Sequence, residues 1–170
     1  MFKAVDRTVT PWLIFTGHRP LYVDSPWPEP SSAPLLKYLE PLLVEYNVDL
    51  ALWGHHHSYH RSCPMIKGEC NANGVIHAVI GAAGYAFSPV NETAPDWVRF
   101  ATDHQYGYAR ISITGAATAT STLTFAFAES ATGNEIDSFK IVKKQDISFD
   151  EFEVPTVKDK ITQTRHRLIQ

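Results

Sequence analysis

The sequence predicts a layered α/β fold with a mixed sheet. The first half of the chain holds a short apolar strand, a segment with helical spacing and a second apolar strand. The second half holds several strand-like segments joined by short, turn-rich connections. An order of strand, helix and strand followed by a run of strands is typical of helices packed against a sheet.

The elements of the first half are predicted from apolar runs and their boundaries. Residues 12–15 form an apolar run that ends in a Gly-containing loop, which predicts a buried strand. After the proline-rich loop at 24–34, apolar residues recur at helical spacing from Pro34 onward. Pro41 lies inside this segment and predicts a kink or a break into two helices. Residues 48–53 form the next predicted strand.

The second half reads as strands up to residue 144. Residues 75–80 are apolar, and the glycines at both ends of residues 81–84 predict a close backbone approach or a turn. Alternating apolar residues predict three more strands, at 106–114, 118–128 and 137–144. The composition becomes polar at residue 145. We therefore expect one domain over 1–144 and a tail or connector over 145–170.

Bulk composition restricts the class of partner. The chain has 170 residues, of which 44% are hydrophobic and 19% are charged, as expected for one globular domain. Its net charge of -3 gives no electrostatic basis for binding nucleic acid or an anionic membrane. The apolar stretch at 75–87 is too short for a membrane span and contains His77. We expect neither a nucleic-acid partner nor a membrane partner.

The two cysteines and one tripeptide bear on the compartment. Cys63 and Cys70 flank Pro64 and Gly68, so they either close a small disulfide loop or remain free thiols. Residues 91–93 (Asn-Glu-Thr) fit the pattern for N-glycosylation, which is common by chance. The tripeptide is weak support for secretion, and a disulfide between the two cysteines would fit an oxidising compartment.

Five of the eight histidines fall in two loops that directly follow predicted strands. They are His18, His55, His56, His57 and His60. Loops at strand ends converge on one crevice, and imidazole is a ligand for zinc, iron and copper. An extended backbone would place His55 and His57 on one side and His56 on the other. The spacing alone leaves two interpretations open, metal ligands or surface histidines.

The residues around these histidines resemble purple acid phosphatases, which are calcineurin-like metallophosphoesterases. Residues 16–22 (TGHRPLY) are similar to the family's GHRPxY segment, and 54–61 (GHHHSYHR) to its GHxHxYER segment. Residues 75–84 (VIHAVIGAAG) resemble IHxVxGxxG. The PDW and YGY triplets within 95–108 and the DSF triplet at 137–139 also match the family, in the same order.

This resemblance implies a fold, an activity and a metal centre. The fold would be the C-terminal half of a metallophosphoesterase-type layered α/β sandwich. The activity would be hydrolysis of phosphomonoesters by metal-activated hydroxide. By the family pattern, His18 and His55 bind a divalent ion (Zn, Fe or Mn), and His57 binds Fe(3+). The parent protein would be secreted or vacuolar.

The resemblance also assigns roles to neighbouring residues. His56 and His60 are the candidates for steering phosphate or protonating the leaving alcohol, or else they are loop residues facing solvent. His60 stands where the family has Glu, so this sequence lacks that carboxylate. We expect Arg61 to anchor the loop through a salt bridge and His77 to be a hydrogen-bonded core residue.

The family's remaining ligands are absent from this sequence. They come from upstream motifs of the type GDxG, GDxxY and GNHE, which supply two aspartates, a tyrosinate and an asparagine. Three neutral imidazoles do not balance two highly charged ions. We therefore expect the chain to be inactive alone and to need a missing N-terminal half to act on a phosphate ester.

Two alternatives remain open on the sequence. The chain is either a fragment of such a phosphatase or a non-catalytic metal- or partner-binding module derived from the same fold. A third possibility is a mononuclear zinc enzyme that uses His18, His55 and His57 with an open water position.

Overall fold

The computed structural model describes residues 4–115 and 120–144. These residues form a helix-containing first half and a strand-rich second half. The elements in chain order are β1 (Ile14–Gly17), α1 (Ser32–Tyr38), α2 (Glu40–Glu45), β2 (Leu50–Trp53), β3 (Tyr59–Ile66), β4 (Glu69–Cys70), β5 (Val75–Ile80), β6 (Val98–Thr102), β7 (Gly107–Thr114), β8 (Thr120–Glu129) and β9 (Glu135–Lys144). Neither helix of the described segments has the length and apolar character of a membrane span.

The strands form two sheets. The first has the order β1-β2-β5-β3-β4, with β6 also paired to β3. Within it β1, β2 and β5 are parallel, whereas β3 runs antiparallel to β5. The second sheet is the antiparallel meander β7-β8-β9. The predicted α/β fold with a mixed sheet is confirmed, and the carboxyl ends of β1, β2 and β5 meet at one edge.

Alternating residues of the first sheet face two different layers. On β2, Ala51 and Trp53 pack with the helices, in a cluster that includes Leu43 of α2. Leu50 of the same strand packs on the second sheet, in a cluster that includes Leu123 of β8. The described residues therefore stack as helices, mixed sheet and antiparallel sheet, with apolar side chains filling both gaps.

The helical segment divides near the predicted proline. The helix α1 ends at Tyr38, and α2 begins at Glu40 with Pro41 in its first turn. Proline has no N–H and fits the first turn of a helix, where that donor has no intrahelical partner. The predicted break is thus confirmed, although α1 starts at Ser32 rather than Pro34.

Three strands were not predicted, namely β3, β4 and β6. The most central, β3, pairs with β5 and β6 along opposite edges. It contains His60, Arg61 and Ser62, and His60 and Ser62 are fully buried. The polar residues of β3 interrupt the apolar alternation by which a strand is recognised in a sequence. They can be buried because tertiary contacts, which the sequence does not display, satisfy their polar groups.

The strands predicted over the second half agree with β5, β7, β8 and β9. On β8, Leu123, Phe125 and Phe127 are completely buried, as their alternation indicated. The start of the predicted strand at 118 and the predicted tail at 145–170 lie outside the described residues. The division into a domain and a tail therefore stays a prediction.

Cys63 and Cys70 form a disulfide. The bond joins β3 to β4, and the register places Met65 opposite Cys70 across this short hairpin. The free-thiol alternative is therefore wrong. Closing a short loop covalently restricts the unfolded chain and stabilises the hairpin at the end of β3.

The two sheets are joined by Asp137 of β9. Its carboxylate accepts hydrogen bonds from Arg61 Nε at 2.7 Å and Arg61 Nη2 at 3.0 Å, and from the Tyr59 hydroxyl at 2.6 Å. The Tyr59 ring stacks on Phe127, with centroids 3.9 Å apart. The expected salt bridge of Arg61 is thus present, and it fixes β3 directly beyond the histidine loop.

Replacing the Asp137 carboxylate should weaken the contact between the sheets. In Asp137→Asn, the mostly buried Arg61 guanidinium loses its counter-charge, and we expect the free energy of unfolding to fall by about 2–4 kcal/mol. Urea denaturation of the 170-residue chain measures this. Glu135→Gln, at an exposed position of the same strand, is the matched control. Equal stability of the two variants would contradict the role given to Asp137.

His77 on β5 is a buried neutral histidine. Trp53 Nε1 donates to its Nδ1 at 3.1 Å, and the Trp53 and His77 rings are nearly parallel. Burial lowers the pKa of His77 to about 3. The ring is therefore uncharged at neutral pH, and the expectation of a hydrogen-bonded core histidine agrees with this environment.

The depressed pKa of His77 predicts acid sensitivity. Below about pH 6.5 the unfolded chain takes up a proton at His77 that the folded chain does not bind. The contribution of neutral His77 to the free energy of unfolding is therefore full above that pH. It is lost as the pH falls towards 3, by about 1 kcal/mol per pH unit. In His77→Gln, urea denaturation between pH 7 and pH 4 should give a shallower dependence. His104→Gln, at an exposed side chain, should leave the dependence as it is.

Candidate metal centre

The candidate site lies where the three parallel strands end. His18 directly follows β1, Gly54 and His55 follow β2, and Gly81 follows β5. The Gly54 N–H donates to the His18 carbonyl at 3.0 Å, which joins the first two loops. Parallel pairing thus brings together residues that are far apart in the sequence.

His18 and His55 are in direct contact. His55 Nδ1 and His18 Nε2 are 3.2 Å apart, and the rings meet edge to face with centroids 5.1 Å apart. Two nitrogens bound to one tetrahedral zinc ion at 2.0–2.1 Å would lie about 3.4 Å apart. The two nitrogens lie within hydrogen-bonding distance, and their separation is also close to that of two ligands on a single ion.

The backbone at His55 is not extended. His55 has a φ of 63°, in the left-handed region that side chains other than glycine seldom adopt. The His56 N–H donates to the Gly54 carbonyl at 2.8 Å, which closes a tight turn. The extended backbone expected for this loop is therefore wrong at His55. Holding a histidine in this conformation costs about 1–3 kcal/mol, as is often found at functional sites.

His55 also contacts an exposed ion pair. Arg19 Nη1 lies 2.9 Å from His55 Nε2, and Glu29 Oε2 lies 3.5 Å from the same nitrogen. Arg19 and Glu29 pair with each other at 3.1 Å. Partial burial and then the Arg19 charge lower the pKa of His55. The neutral imidazole, which is the form that binds metal ions, is therefore favoured.

His57 contacts different residues from those that surround His18 and His55. Its ring packs edge to face on Tyr85, with centroids 5.3 Å apart. Its backbone exchanges two hydrogen bonds with Ser88, one to Ser88 Oγ at 3.1 Å and one from Ser88 N at 3.0 Å. Across residues 4–115 and 120–144, no group of three or more His, Cys, Asp or Glu side chains is arranged to hold a metal ion. The assignment of His57 as a ligand stays a prediction.

The His56 ring, in the loop, and the His60 ring, on β3, are both buried and are joined through Ser58. The Ser58 hydroxyl contacts His56 Nδ1 at 2.8 Å and His60 Nδ1 at 3.1 Å. Burial lowers the pKa of both rings, that of His60 to about 3. Only 9% of His56 and 1% of His60 is exposed. The alternative of solvent-facing loop residues is therefore wrong, while a catalytic role for either ring stays a prediction.

Gly81 forms the floor on which this loop rests. A Cβ at that position would lie 2.1 Å from the His56 carbonyl oxygen, so only glycine fits. The Gly81 N–H donates to the Ser58 carbonyl at 3.1 Å. The glycines at 81–84 indicated such a close approach in the sequence.

Several site residues carry no sequence signal. Asp24 is completely buried, and its Oδ1 accepts a hydrogen bond from Asn91 Nδ2 at 2.6 Å. Asp24 Oδ2 and His56 Nε2 are buried without a hydrogen-bond partner among the described residues. Asp24 and Glu29 both fall in the proline-rich loop, where no motif or periodicity distinguishes them from other loop residues.

The donor set fits part of a two-metal centre. The His18 and His55 nitrogens are close enough to meet at one ion, and partial burial lowers the pKa of His55. Glu29, the carboxylate nearest to this pair, is already engaged by Arg19 and by the Ser31 hydroxyl. Two highly charged ions need anionic ligands, so the described residues provide the imidazole part of such a centre.

Two family models match separate parts of the sequence. Residues 1–59 match the calcineurin-like phosphoesterase model. Residues 74–138 match the model described as iron/zinc purple acid phosphatase-like protein C. The first match includes His18, His55 and His57, and the second includes β5, β7 and β8.

Relatives and solved structures agree with these matches. The chain is 36% identical over 156 residues to probable inactive purple acid phosphatase 24 of Arabidopsis thaliana, covering 81% of the chain and 24% of that protein. It is 36% identical over 157 residues to a nucleotide pyrophosphatase/phosphodiesterase of Hordeum vulgare, covering 82% of the chain and 40% of that protein. The structure matches purple acid phosphatase PPD1 from yellow lupin with a TM-score of 0.71 and 31% identity, over 82% of the chain and 26% of that protein.

These proteins are much longer than the chain, which spans about a quarter of the first Arabidopsis relative. The matched segments contain the histidine loops and the strands that position them. The chain belongs to the purple acid phosphatase family of calcineurin-like phosphoesterases and corresponds to its C-terminal portion.

Proposed function

We propose that the chain supplies the histidine part of a dinuclear metal centre that hydrolyses phosphomonoesters. His18 and His55 would bind a divalent ion (Zn, Fe or Mn), and His57 would bind Fe(3+). The observation that carries this proposal is the 3.2 Å spacing of His18 Nε2 and His55 Nδ1 at the ends of two parallel strands. Membership of the calcineurin-like phosphoesterase family also supports the proposal.

The metal ions and the chain would divide the chemistry between them. Bound ions would polarise a phosphoryl oxygen and lower the pKa of a water molecule. The chain's own residues would hold the ions and attract the substrate. Half of the Arg19 side chain is exposed beside His55, so its guanidinium is available to a phosphate anion. His56 and His60 remain the candidates for proton transfer to the leaving alcohol.

A missing N-terminal half is the partner that this proposal requires. It would supply the aspartates, the tyrosinate and the asparagine that the family uses. Within the described residues, β1 pairs with β2 along one edge, and its other edge is free of strands. A further strand from the other half could extend the sheet on that side of β1.

A non-catalytic module is the second candidate function. Several Arabidopsis relatives carry names that describe them as probable inactive phosphatases. The barley relative of equal identity carries the name of an enzyme that acts on nucleotides. The Arabidopsis names favour the non-catalytic module, and the barley name favours the enzyme. Measurements of metal content and turnover would distinguish the two functions.

The covalent chemistry of the chain supports a proposal for its localisation. The Cys63–Cys70 disulfide supports an oxidising compartment, and with it a secreted or vacuolar parent protein. Asn91 of the N-glycosylation tripeptide uses its amide to bind Asp24, so a glycan there would compete with that contact. We propose that the parent protein is secreted because the disulfide needs an oxidising compartment. Mass spectrometry would show whether Asn91 carries a glycan.

The chain alone should bind one zinc ion weakly. The His18 and His55 rings fit one ion, and an ion held by two neutral imidazoles lacks charge compensation. Calorimetric titration of the 170-residue chain with Zn²⁺ should show one site that disappears in His18→Ala and in His55→Ala. His57→Ala should retain the site, as should His104→Ala at an exposed position. Retention of the zinc site in either His18→Ala or His55→Ala would contradict the pairing.

Activity should appear only with the complementary half. Co-expression with an N-terminal segment that carries GDxG, GDxxY and GNHE should give two metal ions per complex and turnover of 4-nitrophenyl phosphate. His55→Ala should lower kcat/KM by more than the factor of about 10–100 found when a residue that merely supports a metal ligand is lost. A complex that neither holds two metals nor hydrolyses the ester would favour the non-catalytic module.

A further inference from the structure

The outer nitrogen of the His55 ring faces two groups of opposite charge. His55 Nδ1 faces His18, so Nε2 lies on the far side of the ring from the proposed ion. Arg19 Nη1 lies 2.9 Å from this Nε2, and Glu29 Oε2 lies 3.5 Å from it. A guanidinium only donates hydrogen bonds, whereas an ionised carboxylate only accepts them. The two neighbours therefore make opposite demands on one ring nitrogen.

These demands correspond to the two tautomers of His55. An uncharged imidazole carries its proton on one nitrogen, and the other nitrogen has the lone pair that binds a metal ion. While Arg19 donates to Nε2, the proton of the neutral ring lies on Nδ1, the nitrogen that faces His18. Binding an ion through Nδ1 needs the proton on Nε2 instead. That N–H points towards Glu29 and cannot accept a hydrogen bond from Arg19.

The Glu29 carboxylate is held in place independently of His55. Its Oε1 accepts hydrogen bonds from the Ser31 N–H at 3.2 Å and from the Ser31 hydroxyl. The same oxygen pairs with Arg19 Nη1 at 3.1 Å. Only 14% of the Glu29 side chain is exposed. These contacts engage Oε1 and leave Oε2 directed at His55, so a hydrogen-bond acceptor for Nε2 is already in position.

The position of Glu29 is that of a carboxylate that supports a metal ligand. A histidine ligand usually donates its other ring N–H to a carboxylate or a carbonyl group, which fixes the ring orientation and makes the ligand more basic. Glu29 lies across the imidazole from His18, so it is not placed to bind the same ion directly. Its negative charge also offsets part of the positive charge that neutral imidazoles leave uncompensated.

We propose that Glu29 positions His55 for metal binding and that Arg19 opposes it by favouring the other tautomer. The inference rests on the proposed function, since it takes His55 as a ligand through Nδ1. When Nδ1 binds an ion, its proton moves through solvent to Nε2, and the charge of the ring does not change. Nε2 then donates to Glu29, and the Arg19 contact is lost. The half-exposed Arg19 side chain is thereby released for a phosphate anion.

The zinc affinity of the 170-residue chain is the first test. In calorimetric titrations with Zn²⁺, Glu29→Ala should raise the Kd about 10–100-fold, the loss found when a supporting residue is removed. Glu29→Gln keeps a carbonyl acceptor and should recover part of that loss. Arg19→Ala should lower the Kd, about 2-fold if half of the chains hold the competing tautomer. Glu45→Ala and Arg110→Ala, at exposed positions, are the matched controls and should leave the Kd unchanged.

The position of the His55 proton is the second readout, and a merely structural role for Glu29 would not move it. At about pH 8, where imidazole is uncharged, ¹⁵N NMR signals distinguish the protonated ring nitrogen from the other one. Without zinc, Arg19→Ala should shift the proton towards Nε2, and adding Glu29→Ala should reverse that shift. Zinc added to the unsubstituted chain should place the proton on Nε2.

The two readouts separate this inference from the proposed function. Absence of zinc binding at His18 and His55 would sink the proposed metal position, while a proton position that depends on Glu29 would still support the contact with Nε2. A proton position independent of Glu29 would overturn the inference whether or not zinc binds. Equal losses of zinc affinity in Glu29→Ala and Arg19→Ala would also overturn it, because both residues would then only stabilise the loop.

Discussion

The parallel pairing of β1, β2 and β5 is the constraint on which the candidate site depends. Parallel strands end at the same edge, so the residues that follow them share one crevice. This pairing places His18 beside His55 across a sequence separation of 37 residues. It also brings the loop after β5 against His57. Buried side chains above and below the sheet hold these strands in register, so the core determines the spacing of His18 and His55.

The site is supported from below by polar contacts and glycines rather than by apolar packing alone. Ser58 holds the buried His56 and His60 rings, while Gly81 lets the next strand end pass within contact of the His56 carbonyl. The His55 backbone is bent into a left-handed conformation at the same point. His55 and His57 are half-buried in this loop, whereas His56 is buried. The same arrangement would position two ligands whether the parent protein turns over substrate or only binds metal.

The sequence predicts those features that local patterns encode. Alternation identified β8, an apolar run identified β5, and Pro41 identified the break between the two helices. It did not predict β3, because the buried His60 and Ser62 are satisfied by residues distant in the chain. The roles of Asp24 and Glu29 were missed for the same reason, since only the folded loop brings them to Asn91 and His55. The motif resemblance predicted the family, but not the turn at His55 or the exposed ring of Tyr85. Its assignment of the histidines as metal ligands stays a prediction.

The central claim is that His18 and His55 form one metal position. A crystal structure of the zinc-treated chain tests it most directly. The account predicts anomalous density at about 2.0–2.1 Å from both His18 Nε2 and His55 Nδ1. Zinc bound away from this pair, or held by only one of the two rings, would contradict it.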